Sequence, residues 1–145
     1  MLKRFECQNF KGFKDKLVFD LTCGNYNFNK EITKNGIVNK ALVYGKNGSG
    51  KSNLGIAIFD IVSHLTDKQR MPFQYIANYL CLSSSDDKAI FKYVFMFSND
   101  EIVYEYAKTS YDNLIYEKIV YNGEIILDYH YFDNSKQFID DSVKK

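Results

Sequence analysis

Tryptophan is absent from this chain, proline occurs once, at Pro72, and no two cysteines stand in a C-x-x-C pair. The thiols of Cys7, Cys23 and Cys81 are odd in number and far apart. That excludes a disulfide-built scaffold and reads as buried free thiols in a reducing compartment. Neither sign of charge is in excess, with 19 Lys+Arg against 18 Asp+Glu, so bulk charge gives no sign of a nucleic-acid-coating surface. The opening Met1-Leu2-Lys3-Arg4-Phe5-Glu6 carries no apolar run of signal-peptide length, and no later segment approaches membrane-spanning length. A soluble cytoplasmic protein with no membrane partner is the expectation. No repeat and no low-complexity block interrupts the chain, so residues 1–145 read as one domain with room for a real core.

Aromatic side chains are abundant instead, with 12 Tyr and 12 Phe, and they gather in the second half, where they favour sheet. Leu2 to Asn9 and Lys16 to Leu21 predict two opening strands around a turn containing Gly12 and Asp15. Cys23 to Asn39 is polar and predicts a loop. Ala41-Leu42-Val43-Tyr44 predicts a short buried strand. Lys51 to Leu65 has apolar residues at Leu54, Ile58, Ile61, Val62 and Leu65, a helical spacing. Thr66 to Pro72 is a polar break, Phe73 to Leu82 suits a short helix, and Ser83 to Lys88 is a turn. From Ala89 the period becomes two. Phe91, Tyr93, Phe95 and Phe97 share one strand face, and Ile102, Tyr104 and Tyr106 share one face of the next. Leu114 to Tyr121 and Glu124 to Phe132 follow, joined by Asn122-Gly123, a pair suited to the positive φ values of a type I′ turn. The tail from Asp133 to Lys145 is polar.

Between the predicted strand and helix lies Gly45-Lys46-Asn47-Gly48-Ser49-Gly50-Lys51-Ser52, which fits G-x-x-x-x-G-K-[ST]. Strand, glycine loop and helix together converge backbone N–H groups on an anion at a helix N-terminus. Gly45, Gly48 and Gly50 would let the backbone approach phosphate where a Cβ would obstruct it. Lys51 would place its charge between the β- and γ-phosphates, and the Ser52 hydroxyl would be a Mg²⁺ ligand. Asn47 and Asn53 flank the loop with uncharged polar groups suited to phosphate oxygens or water. Lys46 is either a further phosphate contact or an exposed loop lysine. The expected ligands are ATP and Mg²⁺. The fold class is mixed α/β, a strand–phosphate loop–helix unit followed by an antiparallel meander. A doubly wound enzyme would instead alternate strand and helix throughout.

The run Gly45 to Leu54, in its Asn-Gly-Ser-Gly-Lys-Ser-Asn form, resembles the Walker A motif of the RecF/SMC/OLD-type ABC-like ATPases. Phe5-Glu6-Cys7-Gln8-Asn9-Phe10-Lys11-Gly12-Phe13 is similar to that group's first strand and turn. The aromatic meander, Phe95 through Tyr106 and then Ile115 to Lys118, resembles the sheet that follows its first helix. The resemblance implies the N-terminal lobe of a larger ATPase head, with Lys11 near the bound phosphates. A solvated turn lysine is the alternative reading of Lys11. It also implies a C-terminal lobe or self-association that completes the site, and action on DNA or an effector protein.

Such ATPases hydrolyse with elements that this sequence does not display. A Walker B strand ends in Asp-Glu, where the aspartate orients the Mg²⁺ shell and the glutamate positions water. Ile125-Ile126-Leu127-Asp128 imitates it, but Tyr129 follows and a hairpin precedes. Leu82-Ser83-Ser84-Ser85-Asp86 lacks the glycines of a signature motif, and Gln137 is a lone glutamine in a polar tail. His64 and His130 have no partner cluster and read as structural. The chain is therefore expected to bind Mg-ATP and, alone, to turn it over slowly or not at all. A non-catalytic interaction module using the aromatic sheet is the competing class, and a small P-loop kinase a third that the meander disfavours.

Overall fold

Period-two patterning in the second half of the chain produces the sheet on which everything else is mounted. In the computed structural model, residues 1–24, 30–66 and 72–131 are described. Strands β1 (Leu2–Gln8) and β2 (Leu17–Asp20) form the opening hairpin, and a one-turn 3₁₀ segment at Lys30–Ile32 leads to the small hairpin β3 (Thr33–Lys34) and β4 (Ile37–Val38). Helix α1 (Lys51–Leu65) and the single turn α2 (Phe73–Ile76) come next, then β5 (Ala89–Phe97), β6 (Asp100–Ser110), β7 (Asn113–Tyr121) and β8 (Glu124–His130). The main sheet has six strands in the order β2-β1-β5-β6-β7-β8, and every pairing in it is antiparallel. Asn122 and Gly123 take φ of 48° and 87°, the type I′ geometry expected at that turn.

One face of this sheet is aromatic and carries α1. Phe5, Phe91, Tyr93 and Tyr106 are almost wholly buried, with Phe91 and Tyr106 stacked at 5.2 Å and Phe5 tilted against Tyr93 at 4.9 Å. Phe10 closes the end of the layer edge-on to Phe91 and Tyr79. The opposite face is of another kind. Register sets Glu6, Lys92, Glu105, Lys118 and Asp128 side by side across β1, β5, β6, β7 and β8, a row of alternating sign. Lys118 reaches Asp128 at 2.9 Å and Lys92 reaches Glu105 at 3.6 Å, while Arg4 and Lys16 hold Glu6 at the row's end. Cross-strand pairs of opposite charge suit a solvated sheet face. Most of the aromatics are thus gathered against α1, while Tyr116 stands on the outer face.

Four expectations need correction. Ala41–Tyr44 is neither strand nor buried: Leu42 and Tyr44 are 88% and 89% exposed. A strand needs a neighbour for its N–H and C=O groups, and no described strand lies beside this segment to supply one. The stretch from Cys23 to Asn39, read as loop, contains the β3–β4 hairpin, turned by Asn35 (φ 52°) and Gly36 (φ 74°). This is the same Asn-Gly chemistry as at 122–123. Cys7 and Cys81 are buried free thiols, but Cys23 is only half-buried. The helix expected over Phe73 to Leu82 shrinks to the four residues of α2. Residues 67–71 of the polar break, and the tail with Gln137, lie outside the described residues.

Candidate functional site

Helix α1 begins where Gly50 takes φ 92°, a left-handed conformation that favours glycine, and Gly48 takes φ 79° just before it. A Cβ on Gly50 would also meet the Phe13 ring at 3.2 Å, so the β1–β2 turn packs directly on the loop. Gly45 has no such φ, but a Cβ there would come within 3.0 Å of the Ser49 hydroxyl. The helix has no side-chain cap and no acidic residue in its first turn. The positive end of its dipole and its first N–H groups therefore lack an internal counter-charge. Lys46, Asn47, Ser49 and Ser52 are exposed here, and Asn53 is half-buried. The Lys51 ammonium donates to the carbonyls of Gly45 and Lys46, both at 2.7 Å, which holds a cation over the glycine loop.

Lys11 approaches from the opening hairpin. It adopts φ 49°, its N–H donates to the Tyr79 carbonyl at 3.0 Å, and its ammonium donates to the Ala77 carbonyl at 3.1 Å. Partial burial pushes its pKa down. Asn53 and the neighbouring Gly12 share a cleft of about 430 Å³ with Lys11, Gln74, Asn78 and Ser83. The structure therefore brings Lys11 to the first turn of α1, alongside Asn53. It does not bring Asp128 there. That carboxylate belongs to the charged outer row, bonded to Lys118, on the sheet face away from α1. His130 packs at a tilt against Tyr116 at 4.6 Å in the same outer layer, beside a cavity of about 650 Å³ that Lys88 and Glu105 also line. Leu82-Ser83-Ser84 is a turn with Leu82 exposed. Among the described residues no group of His, Cys, Asp and Glu is arranged to hold a metal ion.

The residues that sequence reasoning missed lie beneath the site, in the contact between α1 and the sheet. Helix α1 buries part of the apolar stripe that its spacing predicts: Leu54 is buried and Ile58 and Ile61 pack against the core, but Val62 and Leu65 face outward, at 42% and 62% exposure. Beside Leu54 it buries Ala57 and Asp60, which the apolar spacing leaves out. The Asp60 carboxylate accepts from the Tyr79 hydroxyl (3.0 Å), the Tyr106 hydroxyl (2.8 Å) and the Lys108 ammonium (2.9 Å). Lys108 lies over the rings of Tyr79, Tyr106 and Tyr111, at 5.4 to 5.9 Å from their centroids. The signal was present. Extending the β6 alternation Ile102, Tyr104, Tyr106 by two residues puts Lys108 on the inner face, where a buried cation requires a buried anion. Tyr93 adds a bond to the Ala57 carbonyl at 2.8 Å. Burial drives the hydroxyl pKa values of Tyr79, Tyr93 and Tyr106 well up, so all three remain donors.

One turn after Asp60, His64 lies 2.7 Å from the Tyr104 hydroxyl, whose proton goes to Glu117 at 3.0 Å. That leaves His64 Nε2 as the donor to Tyr104. Burial, and then the Lys108 charge, push its pKa below the ordinary 6.5, against smaller opposite effects of Asp60 and Glu117. The unfolded chain therefore binds the proton first, and stability rises with pH across that window. The His64 contribution is complete above pH 6.5 and is lost as pH falls from there through the folded value. Thermal melts between pH 8 and pH 5 should show this decline, and His64→Gln, which keeps a donor but does not titrate, should flatten it.

Comparison with known proteins places the chain in a family. Residues 40–144 match the family described as "AAA domain, putative AbiEii toxin, Type IV TA system". A solved structure reported under "Structural biochemistry of ATP-driven dimerization and DNA stimulated activation of SMC ATPases" is similar with a TM-score of 0.50 at 22% identity. The match covers 87% of this chain and 72% of that one. At that identity the likeness concerns the fold. No curated protein sequence matches.

Proposed function

The chain belongs to this AAA-domain family, and from that premise we propose that it is the Mg-ATP-binding lobe of an ABC-like ATPase of the RecF/SMC/OLD type, with Gly45–Ser52 as its Walker A motif. The observation that carries the reading is the start of α1. Left-handed glycines open an uncapped helix end free of acidic residues, with one lysine over it and another beside it. Charge-assisted bonds from backbone N–H groups and Lys51 would hold the β- and γ-phosphates. The exposed Ser52 hydroxyl fits Mg²⁺, which keeps waters and phosphate oxygens and needs few protein ligands. Bound Mg²⁺ would neutralise phosphate charge. Lys46, Asn47, Ser49, Asn53 and Lys11 would complete the phosphate surroundings, and the cleft beside Asn53 would take the nucleoside.

Turnover is expected to be slow: Asp60, the carboxylate of α1, is buried and fully bonded, and Asp128, which imitates the end of a Walker B strand, lies across the sheet. The exposed Leu42, Tyr44, Phe59 and Leu65 form apolar surface around the loop and the outer side of α1, suited to cover by a C-terminal lobe or a second copy. Action on DNA or on an effector protein follows from the RecF/SMC/OLD likeness. The interaction-module reading loses its working surface, because the aromatic face is already occupied by α1.

Size-exclusion chromatography with and without Mg-ATP, alongside a nucleotide titration, tests the reading. Saturable binding and a nucleotide-triggered shift in size are expected. A constant oligomer that ignores Mg-ATP favours the interaction module, and rapid Lys51-dependent hydrolysis by the chain alone overturns the half-site.

A further inference from the structure

The buried Asp60 cluster and the Lys11 turn, described separately above, are two ends of one connection. Asp60 belongs to the middle of α1 and Lys11 to the β1–β2 turn, and the segment Ala77–Cys81 runs between them. At one end, the Tyr79 hydroxyl is anchored on Asp60 Oδ1 at 3.0 Å. At the other, the backbone of the same segment grips the turn. Tyr79 O accepts the Lys11 N–H, Ala77 O accepts the Lys11 ammonium, Leu80 bridges Phe10, and the Cys81 N–H donates to Asn9 at 3.3 Å. The N–H and the ammonium of Lys11 thus both depend on one stretch of chain, and that stretch is seated by one phenol. The segment includes Asn78 at φ 52°, and the turn includes Asn9 and Lys11 at φ 53° and 49°. Non-glycine residues persist in that region only where the surroundings over-determine them.

We propose that Tyr79 is a positioning residue: through its bond to Asp60 it fixes the Ala77–Cys81 segment and so sets where Lys11 stands beside the first turn of α1. This rests on the reading of Gly45–Ser52 as a nucleotide site, with Lys11 as one of its cations. The cluster is built for such a role. A buried ion pair adds little net stability over well-packed apolar groups, but it permits few alternative arrangements. Asp60 keeps two other partners when the Tyr79 hydroxyl is removed, so its loss need not unseat the helix. Asp60 also lies on the helix that begins at Gly50, so the anchor for Lys11 and the glycine loop share one rigid element.

The test is a double-mutant cycle on the full chain, using Tyr79→Phe, Lys11→Ala and the combination, read as affinity for Mg-ATP by titration. Tyr79→Phe keeps the ring against Phe10 and removes only the hydroxyl. It is expected to weaken binding about 5- to 10-fold, and Lys11→Ala about 10-fold. The combination should bind no more weakly than Lys11→Ala alone, because Tyr79 acts through Lys11. A purely structural tyrosine would instead weaken both backgrounds equally, and multiplicative losses overturn the proposal. Hydrogen exchange of the Lys11 amide gives a readout that needs no nucleotide. Faster exchange in Tyr79→Phe is expected, and unchanged exchange overturns the tether even if ATP binding is intact. Failure of the wild-type chain to bind Mg-ATP, with Lys11 exchange still dependent on Tyr79, overturns the nucleotide reading and with it the positioning role, while leaving the tether itself in place.

Discussion

Asp60→Ala should destabilise the protein by ~3–5 kcal/mol, because it leaves a buried ammonium without its anion. Lys108 and Asp60 each have side chains about 3% exposed and lie 2.9 Å apart. Removing the carboxylate also strips the acceptor from two tyrosine hydroxyls, Tyr79 and Tyr106. Each buried polar group left without a partner adds about 1–3 kcal/mol. Tyr106 can turn to Tyr93, 3.3 Å away, and so recovers part of that. In a chain of this size the loss corresponds to a fall in Tm of roughly 10–20 °C. Thermal or urea unfolding checks it. The control is Asp60→Ala combined with Lys108→Met, which removes the orphaned charge and retains an apolar chain among the rings. The pair should be more stable than Asp60→Ala alone by at least about 1 kcal/mol. If the two variants melt together, the unpaired cation is not the cause. An Asp60→Ala protein that melts like the wild type would show that the cluster contributes nothing.

Lys51→Ala should lower the affinity for Mg-ATP roughly 10- to 100-fold, while leaving the melting temperature of the free protein within a few degrees. The asymmetry follows from exposure. Lys51 donates to two loop carbonyls at the surface, where water can replace it, so its loss changes folding little. Toward a triphosphate the same ammonium meets concentrated negative charge, and charge-assisted bonds there are worth about 1.5–3 kcal/mol. Calorimetric titration separates the two effects. Unchanged affinity in Lys51→Ala would remove the loop from the nucleotide reading. A collapse in Tm would mean that Lys51 is structural. The two variants therefore have opposite signatures, one on stability and the other on ligand affinity.

Much of the architecture was legible because it rests on local periodicity. The β5–β8 meander, the Asn122-Gly123 turn, the opening hairpin and helix α1 all follow from spacing that each segment carries by itself. The glycine loop was legible for the same reason, since its letters specify backbone geometry at Gly48 and Gly50 directly. Asn35-Gly36 obeyed a rule already applied at Asn122-Gly123, but its flanking strands are two residues each and give no periodic signal. Which face of α1 turns inward was legible only in part, through Leu54, Ile58 and Ile61. Apolar spacing favours Val62 and Leu65, but the sheet offers tyrosine hydroxyls and an ammonium, and these select Asp60 and His64. Hydrophobicity ranks side chains one at a time, whereas burial of a charge depends on a partner 48 residues away.

What the sequence determined by itself is the meander, the helix and a glycine loop in the pattern of a phosphate site, because strand alternation, helical spacing and left-handed glycines are short-range properties. Only the tertiary structure decided that Ala41–Tyr44 stays unpaired and exposed, since a strand exists only beside another strand. Only it brought Lys11 to the start of α1, through a segment nearly seventy residues away in sequence and seated by Tyr79 on Asp60. Those placements depend on long-range hydrogen bonds and charge pairing, which no local pattern encodes.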